Sequence, residues 1–356
     1  MSDTPVEIVR VTRVEPHPNA DKLDIAKVLN TQFITQKGNL KANDLVVYFP
    51  PDMLIPEDVA KALGVDTYLK HAVMPGEFVK TQCRIGAIRL RSAASFGFGL
   101  PLDNEYVAEM LGDRKVEVGD DATDLFQAVK YQPPVQFKGG GDTMRQPGAF
   151  HKYTSIQHYY RNANAIPNRL PVRITEKLHG TNSRVGYVRD NGPEFMCGTH
   201  YRRVKGENSV YWTPLTDDMK AMLDFISING AYDTIVFGEI YGQGVQKMDY
   251  GTVKGKGYRV FDISVNGEYL DWAEVKSYCE LFDIETVPVL YEGPFDPTLL
   301  EGLTSGPTTM ADADDINCKF KGREGVVITP LVERHSDVLG GRLILKSVSP
   351  DYYQAM

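Results

Sequence analysis

Residues 174 to 184, Ile174-Thr175-Glu176-Lys177-Leu178-His179-Gly180-Thr181-Asn182-Ser183-Arg184, bring an amine, an imidazole and a carboxylate within a few positions of one another. Lys177 follows a short apolar strand and precedes Gly180, Thr181 and Asn182, so the backbone must leave the strand in a tight turn, with the amine at a pocket mouth. A lysine is nucleophilic only as the neutral amine, which desolvation or nearby cations favour. A buried strand end with Arg173 and Arg184 close in sequence is expected to supply both. A surface lysine beside a turn would show the same K-x-x-G, so this motif alone decides nothing.

Four later segments change that. Val236-Phe237-Gly238-Glu239-Ile240-Tyr241-Gly242 is an apolar run ending in a carboxylate, Tyr258-Arg259-Val260-Phe261-Asp262-Ile263 is a second, and Arg323-Glu324-Gly325-Val326-Val327-Ile328 is a third. Arg342-Leu343-Ile344-Leu345-Lys346-Ser347 follows. Taken in order, these segments resemble motifs I, III, IIIa, IV and V of the covalent nucleotidyltransferases, the superfamily of RNA ligases, DNA ligases and mRNA capping enzymes. Glu-Lys-Leu-His-Gly-Thr-Asn, with His where many members carry Asp, looks most like the phage RNA ligase 2 type. The resemblance covers roughly residues 150 to 350.

The resemblance implies ATP-dependent joining of RNA 3′-hydroxyl and 5′-phosphate ends, in RNA repair. Lys177 would take AMP from ATP, the AMP would pass to the RNA 5′-phosphate, and the 3′-hydroxyl would displace it. Positioning and electrostatic stabilisation of charged phosphoryl groups carry such chemistry. The implied catalytic residues are Lys177, His179 and Lys346. Glu176, Lys177, Asn182, Arg184, Glu239, Phe261, Glu324 and Lys346 would bind the nucleotide, Glu176 near the adenine edge, Phe261 stacked on the base and Lys346 on the α-phosphate. Glu239 and Glu324 would take the ribose hydroxyls or hold Mg²⁺, with Mn²⁺ an alternative, and Asp262 is a further candidate. Phe261 and Asp262 also read as ordinary strand residues, one packed and one terminal. RNA ligases of this type usually carry Lys-x-Lys in motif V; here Ile344 holds the first position, and three readings stay open: Arg342 supplies the missing cation, the N-terminal module supplies it, or β- and γ-phosphate handling is weaker. Two other readings are an RNA-binding protein on a degenerate scaffold and, within the same chemistry, a DNA ligase or capping enzyme. A DNA ligase usually carries its OB domain after the catalytic domain, and here the candidate precedes it.

The rest of the chain must position these residues. At 356 residues, two domains are expected. Apolar and charged fractions of 42% and 24% are those of globular proteins, which excludes bulk disorder. A net charge of −8 argues mildly against a protein whose main work is holding nucleic acid. Its distribution is uneven: residues 152 to 205 hold ten Lys or Arg against three Asp or Glu, and this basic block contains Lys177. Cys83, Cys197, Cys279 and Cys318 form no C-x-x-C pair and read as reduced packing thiols. Without a leader or a membrane-length apolar stretch, the reading is a soluble, cytoplasmic monomer acting on RNA ends or nicked duplex RNA.

The expected fold class is α+β, an N-terminal OB-like β-barrel followed by a nucleotidyltransferase (ATP-grasp-like ligase) domain of antiparallel sheets with flanking helices. Residues 1–131 form the OB-like, RNA-binding module, 132–148 a Pro- and Gly-rich linker, and 149–356 the nucleotidyltransferase domain. Alternation predicts a half-buried strand over 6–14, strands at 23–29 and 45–49, a short helix over 54–64 and a further strand over 81–92. His17-Pro18-Asn19-Ala20-Asp21-Lys22-Leu23 is similar to the opening of OB-fold tRNA-binding modules, with His17 itself read as a turn residue. Arg84, Arg89 and Arg91 are candidate backbone contacts. Phe96 and Phe98, between glycines, fit either a base-stacking platform or barrel packing. In the second domain His200, Tyr201, Arg202 and Arg203 are candidates for ribose or phosphate contact. Residues 293–315 read as a loop, and no sizeable domain is expected after motif V.

Overall fold

The computed structural model describes residues 5–73, 81–131, 143–190, 192–206, 208–228, 230–252, 255–312, 314–316, 318 and 320–355. The chain divides into two compact units, Met1–Gln136 and Phe137–Met356. Among the described residues, no helix is long and apolar enough to cross a membrane.

The first unit contains a five-stranded sheet in the order Phe98–Pro101, Leu45–Phe49, Glu7–Pro16, Leu23–Val28, Thr31–Gln36. A four-stranded sheet joins Val129–Lys130, Met53–Pro56, Thr81–Arg84 and Lys70–Val73. Side chains alternate across a strand, and here both faces are covered at its start: Val6 and Ile8 enter one apolar cluster, Val9 and Val11 another. The expected half-buried strand is therefore buried on both sides over its first half, because the Glu105–Leu111 helix supplies Val107 and Leu111 to the first cluster. The expected helix over 54–64 is corrected to a strand, Met53–Pro56, followed by a helix, Glu57–Ala62. The run over 81–92 is two strands, Thr81–Arg84 and Ala87–Leu90, in different sheets. Phe98 stacks on Phe49 at 4.6 Å within the core, which favours barrel packing over a base platform for that ring. Arg84 is held by Asp52 at 2.7 Å and lies over the Tyr131 ring, so its charge is already paired. His17 is the expected turn residue: it is buried, its Nδ1 accepts from the Asn19 backbone N–H, and its Nε2 lies 2.9 Å from the Leu90 carbonyl.

Among the described residues, the second unit has two large sheets and a two-stranded ribbon of His335–Ser336 and Gly341–Arg342. The larger has seven strands, in the order Thr143–Met144, Arg203–Val204, Pro193–Thr199, Thr181–Arg189, Thr234–Gly242, Lys256–Val265 and Glu268–Tyr269. The smaller has five, in the order Gln157–His158, Leu345–Val348, Gly325–Pro330, Pro171–Lys177 and Val289–Pro294. The Asp217–Ser227 and Trp272–Leu281 helices share one apolar cluster with the larger sheet. The first is capped by Thr216, whose hydroxyl accepts from the Met219 N–H. The second opens with a capping box of Asp271 and Glu274. Residues 178–180 connect the two sheets, so the motif I turn is the crossing point between them.

Two expectations for this unit change. Of the expected linker, residues 132–142 lie outside the described residues, and Thr143–Met144 pair with Arg203–Val204 as an edge strand. Sheet structure therefore begins before 149. Residues 293–315 contain a helix, Pro297–Thr304, started by Asp296, whose side chain accepts from the Thr298 N–H. Proline at its first position supplies the helical φ, which a search for turn residues reads as a breaker. The four cysteines are unpaired thiols, and Cys83, Cys197 and Cys279 are buried.

Candidate active site

The antiparallel register places Lys177, the last residue of its strand, opposite Gly325. Glu324 immediately precedes that glycine, and its Oε1 accepts from Lys177 Nζ at 2.6 Å. In the other sheet Asn182 is registered opposite Glu239, so the turn after Lys177 brings a second carboxylate to the same place. Burial alone would push the Lys177 amine down, but Glu324 and Glu239 outweigh it and hold its pKa above the ordinary lysine value. Glu324 is the converse: burial disfavours its charge, yet Lys177 and His179 keep it below the usual carboxylate range. Glu239 is pushed up to about 8, chiefly by burial and further by Glu324, against the opposing pull of Lys177 and the Gly180 N–H.

The cations expected to lower the lysine are committed elsewhere. Arg173 donates to Asp262 at 2.6 Å and to the Phe261 carbonyl. Arg184 is fully buried, donating to the Thr199 and Phe150 carbonyls and to Gln146 Oε1. The expectation that Arg173 and Arg184 activate Lys177 is therefore corrected: the groups around the amine are carboxylates, and they favour the ammonium. Protein acceptors engage the Arg184 guanidinium that the resemblance assigns to the nucleotide.

Gly180 allows the turn to lie close against the Thr234–Gly242 strand. A Cβ there would lie 2.2 Å from the Ile240 carbonyl oxygen and 2.9 Å from Glu239 Cγ. Gly180→Ala is expected to force the turn away from the Thr234–Gly242 strand, destabilising by about 1–3 kcal/mol and slowing any reaction at Lys177 by at least about tenfold. A thermal melt and a rate of Lys177 modification check this; wild-type values for both would show that the turn has room.

Around this pair, His179 donates its backbone N–H to the Tyr250 hydroxyl at 2.7 Å, and its Nδ1 lies 2.9 Å from the Tyr352 hydroxyl. His179 Nε2 and Asn182 Oδ1 are buried and have no protein partner. Orphaned buried polar atoms are costly, so these two, one in the turn after Lys177 and one at the start of the next strand, are candidate contacts for a ligand beside the carboxylates. Among the described residues no three His, Cys, Asp or Glu side chains form a ready-made metal cage. Two oxygen ligands plus an orphaned amide oxygen instead suit a magnesium ion that keeps waters and takes further oxygens from phosphates.

Residues directly opposite in an antiparallel ladder share a face. Lys177, Gly325 and Val348 are registered across the smaller sheet, as are Thr175, Val327 and Lys346, so Lys346 lies on the Lys177 face. Glu176 points the other way, to a buried site where the Thr308 hydroxyl, the Thr309 N–H and the Thr309 hydroxyl all donate to it. In this structure protein donors engage the carboxylate that the resemblance places near the adenine edge. Phe261 is half-buried and meets Tyr153 edge-on at 4.8 Å, between two apolar clusters.

Ile344 is 2% exposed in the cluster that includes Phe150, Tyr153 and Phe237, an environment that would strand a lysine ammonium. Arg342 is not a substitute for it. Its guanidinium donates to Glu333 and to Asp262, lies 3.0 Å from the Tyr153 hydroxyl, and stacks over Tyr269 at 3.9 Å. Asp262, 1% exposed, is thus the centre of a buried ion cluster with Arg173 and Arg342. Arg203 is likewise paired, in a forked contact with Glu194, whereas Tyr201 is 69% exposed. Thr308, Thr309, Tyr250 and Tyr352 were not legible as site residues, since single threonines and tyrosines in irregular sequence carry no spacing signal.

A family model described as RNA ligase matches residues 170–348, and an OB-fold domain model matches residues 6–102. Among solved structures the chain is similar to the Naegleria gruberi RNA ligase. A lysine-to-alanine mutant with ATP and Mn has 22% identity and a TM-score of 0.77 over 98% of this chain and 97% of that one. A lysine-to-methionine mutant with AMP and Mn has 22% identity and a TM-score of 0.76 over the same shares. The enzyme with PPi has 22% identity and a TM-score of 0.74 over 97% and 96%. Identity this low is a likeness of fold. The RNA ligase model, however, spans half of the chain and runs from the strand that ends at Lys177 to the strand that bears Lys346, and the chain belongs to the RNA ligase family.

Proposed function

We propose that this chain is an ATP-dependent RNA ligase joining 3′-hydroxyl and 5′-phosphate ends, with Lys177 as the nucleophile that carries AMP. The observation that supports it most is the Lys177–Glu324 pair at 2.6 Å beside Glu239, at the crossing of two sheets and next to two orphaned polar atoms. In the ligand-free site Lys177 is an ammonium; to attack the α-phosphorus of ATP, it must lose a proton and its pairing with Glu324. Pyrophosphate leaves, the AMP moves to an RNA 5′-phosphate, and the 3′-hydroxyl then displaces it. Lys346, on the Lys177 face, would hold the α-phosphate, and Phe261 would pack on the base. Glu239 and Glu324 would hold a magnesium or manganese ion, which when bound supplies positive charge beside the reacting phosphate. His179 and Asn182 would meet phosphate or metal through the atoms that lack partners.

In this reading the protein acts as a monomer in the cytoplasm on RNA ends or nicked duplex RNA, in RNA repair. An RNA-binding module within residues 1–131 guides the substrate to the catalytic unit that follows. The test is incubation with ATP labelled at the α-phosphate and Mg²⁺, followed by a denaturing gel, for wild type and Lys177→Ala. Label on wild type and none on the mutant is expected, followed by transfer to nicked RNA in preference to nicked DNA. If wild type took no label from ATP, GTP or NAD⁺ after removal of any AMP bound during expression, the RNA-binding scaffold would replace the ligase reading.

A further inference from the structure

The family model ends at residue 348, and the helix Pro350–Ala355 follows it. That helix is tied to the site at both ends of its first turn. Ser349 donates its N–H to the Glu324 carbonyl at 2.8 Å, and its hydroxyl accepts from the Asp351 N–H. One turn on, the Tyr352 hydroxyl lies 2.9 Å from His179 Nδ1, and the two rings meet at 5.4 Å between centroids and 65° between planes. Phe320 packs against the other side of Tyr352 at 6.0 Å. Glu324 Oε2 is 3.7 Å from the same imidazole nitrogen, too long for a hydrogen bond, so the tyrosine is the group that fixes the ring. His179 Nε2 remains, buried and without a protein partner.

We propose that Tyr352 is a positioning residue of the active site: its hydroxyl fixes the rotation and tautomer of His179, so that Nε2 presents an N–H to a phosphoryl oxygen of the substrate. When the hydroxyl donates to Nδ1, the ring N–H lies on Nε2, and a buried donor of that kind awaits an anionic acceptor. Lys346 and Tyr352 lie six positions apart on one continuous segment. The same stretch of chain therefore delivers the last motif's lysine and the anchor of the first motif's histidine. The proposal rests on the ligase reading and deepens it, assigning the orphaned nitrogen to either the nucleotide phosphate or the RNA phosphate.

The experiment is a double-mutant cycle with Tyr352→Phe and His179→Ala, measured in single turnover for two separate steps. These are Lys177 adenylylation by labelled ATP and sealing of a nicked RNA already adenylated at its 5′-phosphate. The phenylalanine keeps the ring packing and removes only the hydroxyl. In whichever step His179→Ala slows, Tyr352→Phe is expected to slow wild type about tenfold and the His179→Ala background less than twofold. The affected step identifies the source of the phosphate. Wild-type rates in Tyr352→Phe, equal slowing in both backgrounds, or no effect of His179→Ala on either step would each overturn the proposal. Equal slowing with a fall in melting temperature would assign Tyr352 a packing role. The ligase reading fails separately, if wild type takes no label on Lys177.

Discussion

Arg342→Ala is expected to cost the second unit about 3–5 kcal/mol of stability, the loss seen when one member of a buried ion cluster is removed. Arg342 and Arg173 together face Asp262 and Glu333, two cations against two carboxylates, with the Arg342 and Asp262 side chains only 8% and 1% exposed. Without Arg342, Asp262 keeps a single cation and Glu333 loses its partner. Burial opposes charge on Asp262, but Arg342 and Arg173 hold its pKa below the ordinary value. The stabilisation from Asp262 is therefore complete above the unfolded aspartate pKa and is lost as pH falls through the lower, folded one. Both tryptophans of the chain, Trp212 and Trp272, lie in the second unit, so their fluorescence during urea denaturation reports this unit alone. Asp262→Asn combined with Arg342→Met, which removes one charge of each sign, should recover most of the loss. If Arg342→Ala left the unfolding curve in place and reduced only activity, Arg342 would be the motif V cation after all.

That contrast locates what the sequence could and could not reveal. Lys177, Glu239, Glu324 and Lys346 stand at the ends or edges of apolar runs, and a run's periodicity gives both its strand and the face of each side chain. They were singled out because those runs, in that order, resemble the motifs of the covalent nucleotidyltransferases. Arg184, Arg342 and Asp262 look the same in one dimension, as charges beside strands, and only the pairing of Thr181–Arg189 with Pro193–Thr199, or of Arg342 with Glu333 and Asp262, shows that protein groups already satisfy them. Glu176 illustrates the limit most sharply. It adjoins Lys177 in sequence, but adjacent strand residues face opposite ways, and its partners Thr308 and Thr309 come from a segment with no periodicity. In the first unit the alternation located the strands at Glu7–Pro16, Leu23–Val28 and Leu45–Phe49, missed those at Met53–Pro56 and Thr31–Gln36, and misjudged the burial of the first. The helix that covers the second face of Glu7–Pro16 begins about ninety residues later and leaves no trace in the strand's own pattern.

Glu239→Gln is expected to separate stability from activity. The folded-state pKa of Glu239 is about 8 against an ordinary value of 4.5, so the ligand-free fold binds this proton more tightly than the unfolded chain does. Its contribution is complete below the unfolded pKa and is lost as pH rises from about 4.5 through 8, on the order of 3 kcal/mol after discounting for its partial exposure. Glutamine keeps the shape and the acceptor for the Gly180 N–H but never ionises. In EDTA, tryptophan-detected melts of wild type should therefore fall between pH 5 and pH 9 relative to the mutant, which should be the more stable protein at the alkaline end. Magnesium should reverse the order at pH 8, because a cation between Glu239 and Glu324 replaces the proton and stabilises only the wild type. Adenylylation of Lys177 in Mg²⁺ should be at least about a hundredfold slower in the mutant than in wild type. Parallel melting curves for the two proteins from pH 5 to 9 would mean that Glu239 titrates normally. Rapid labelling of the mutant would mean that Glu324 alone holds the metal. The two readouts are independent, since the melts need neither ATP nor RNA. A carboxylate that weakens the empty fold at the pH where it is most useful to a bound cation is what a site built for metal and phosphate requires, and a surface carboxylate would show neither effect.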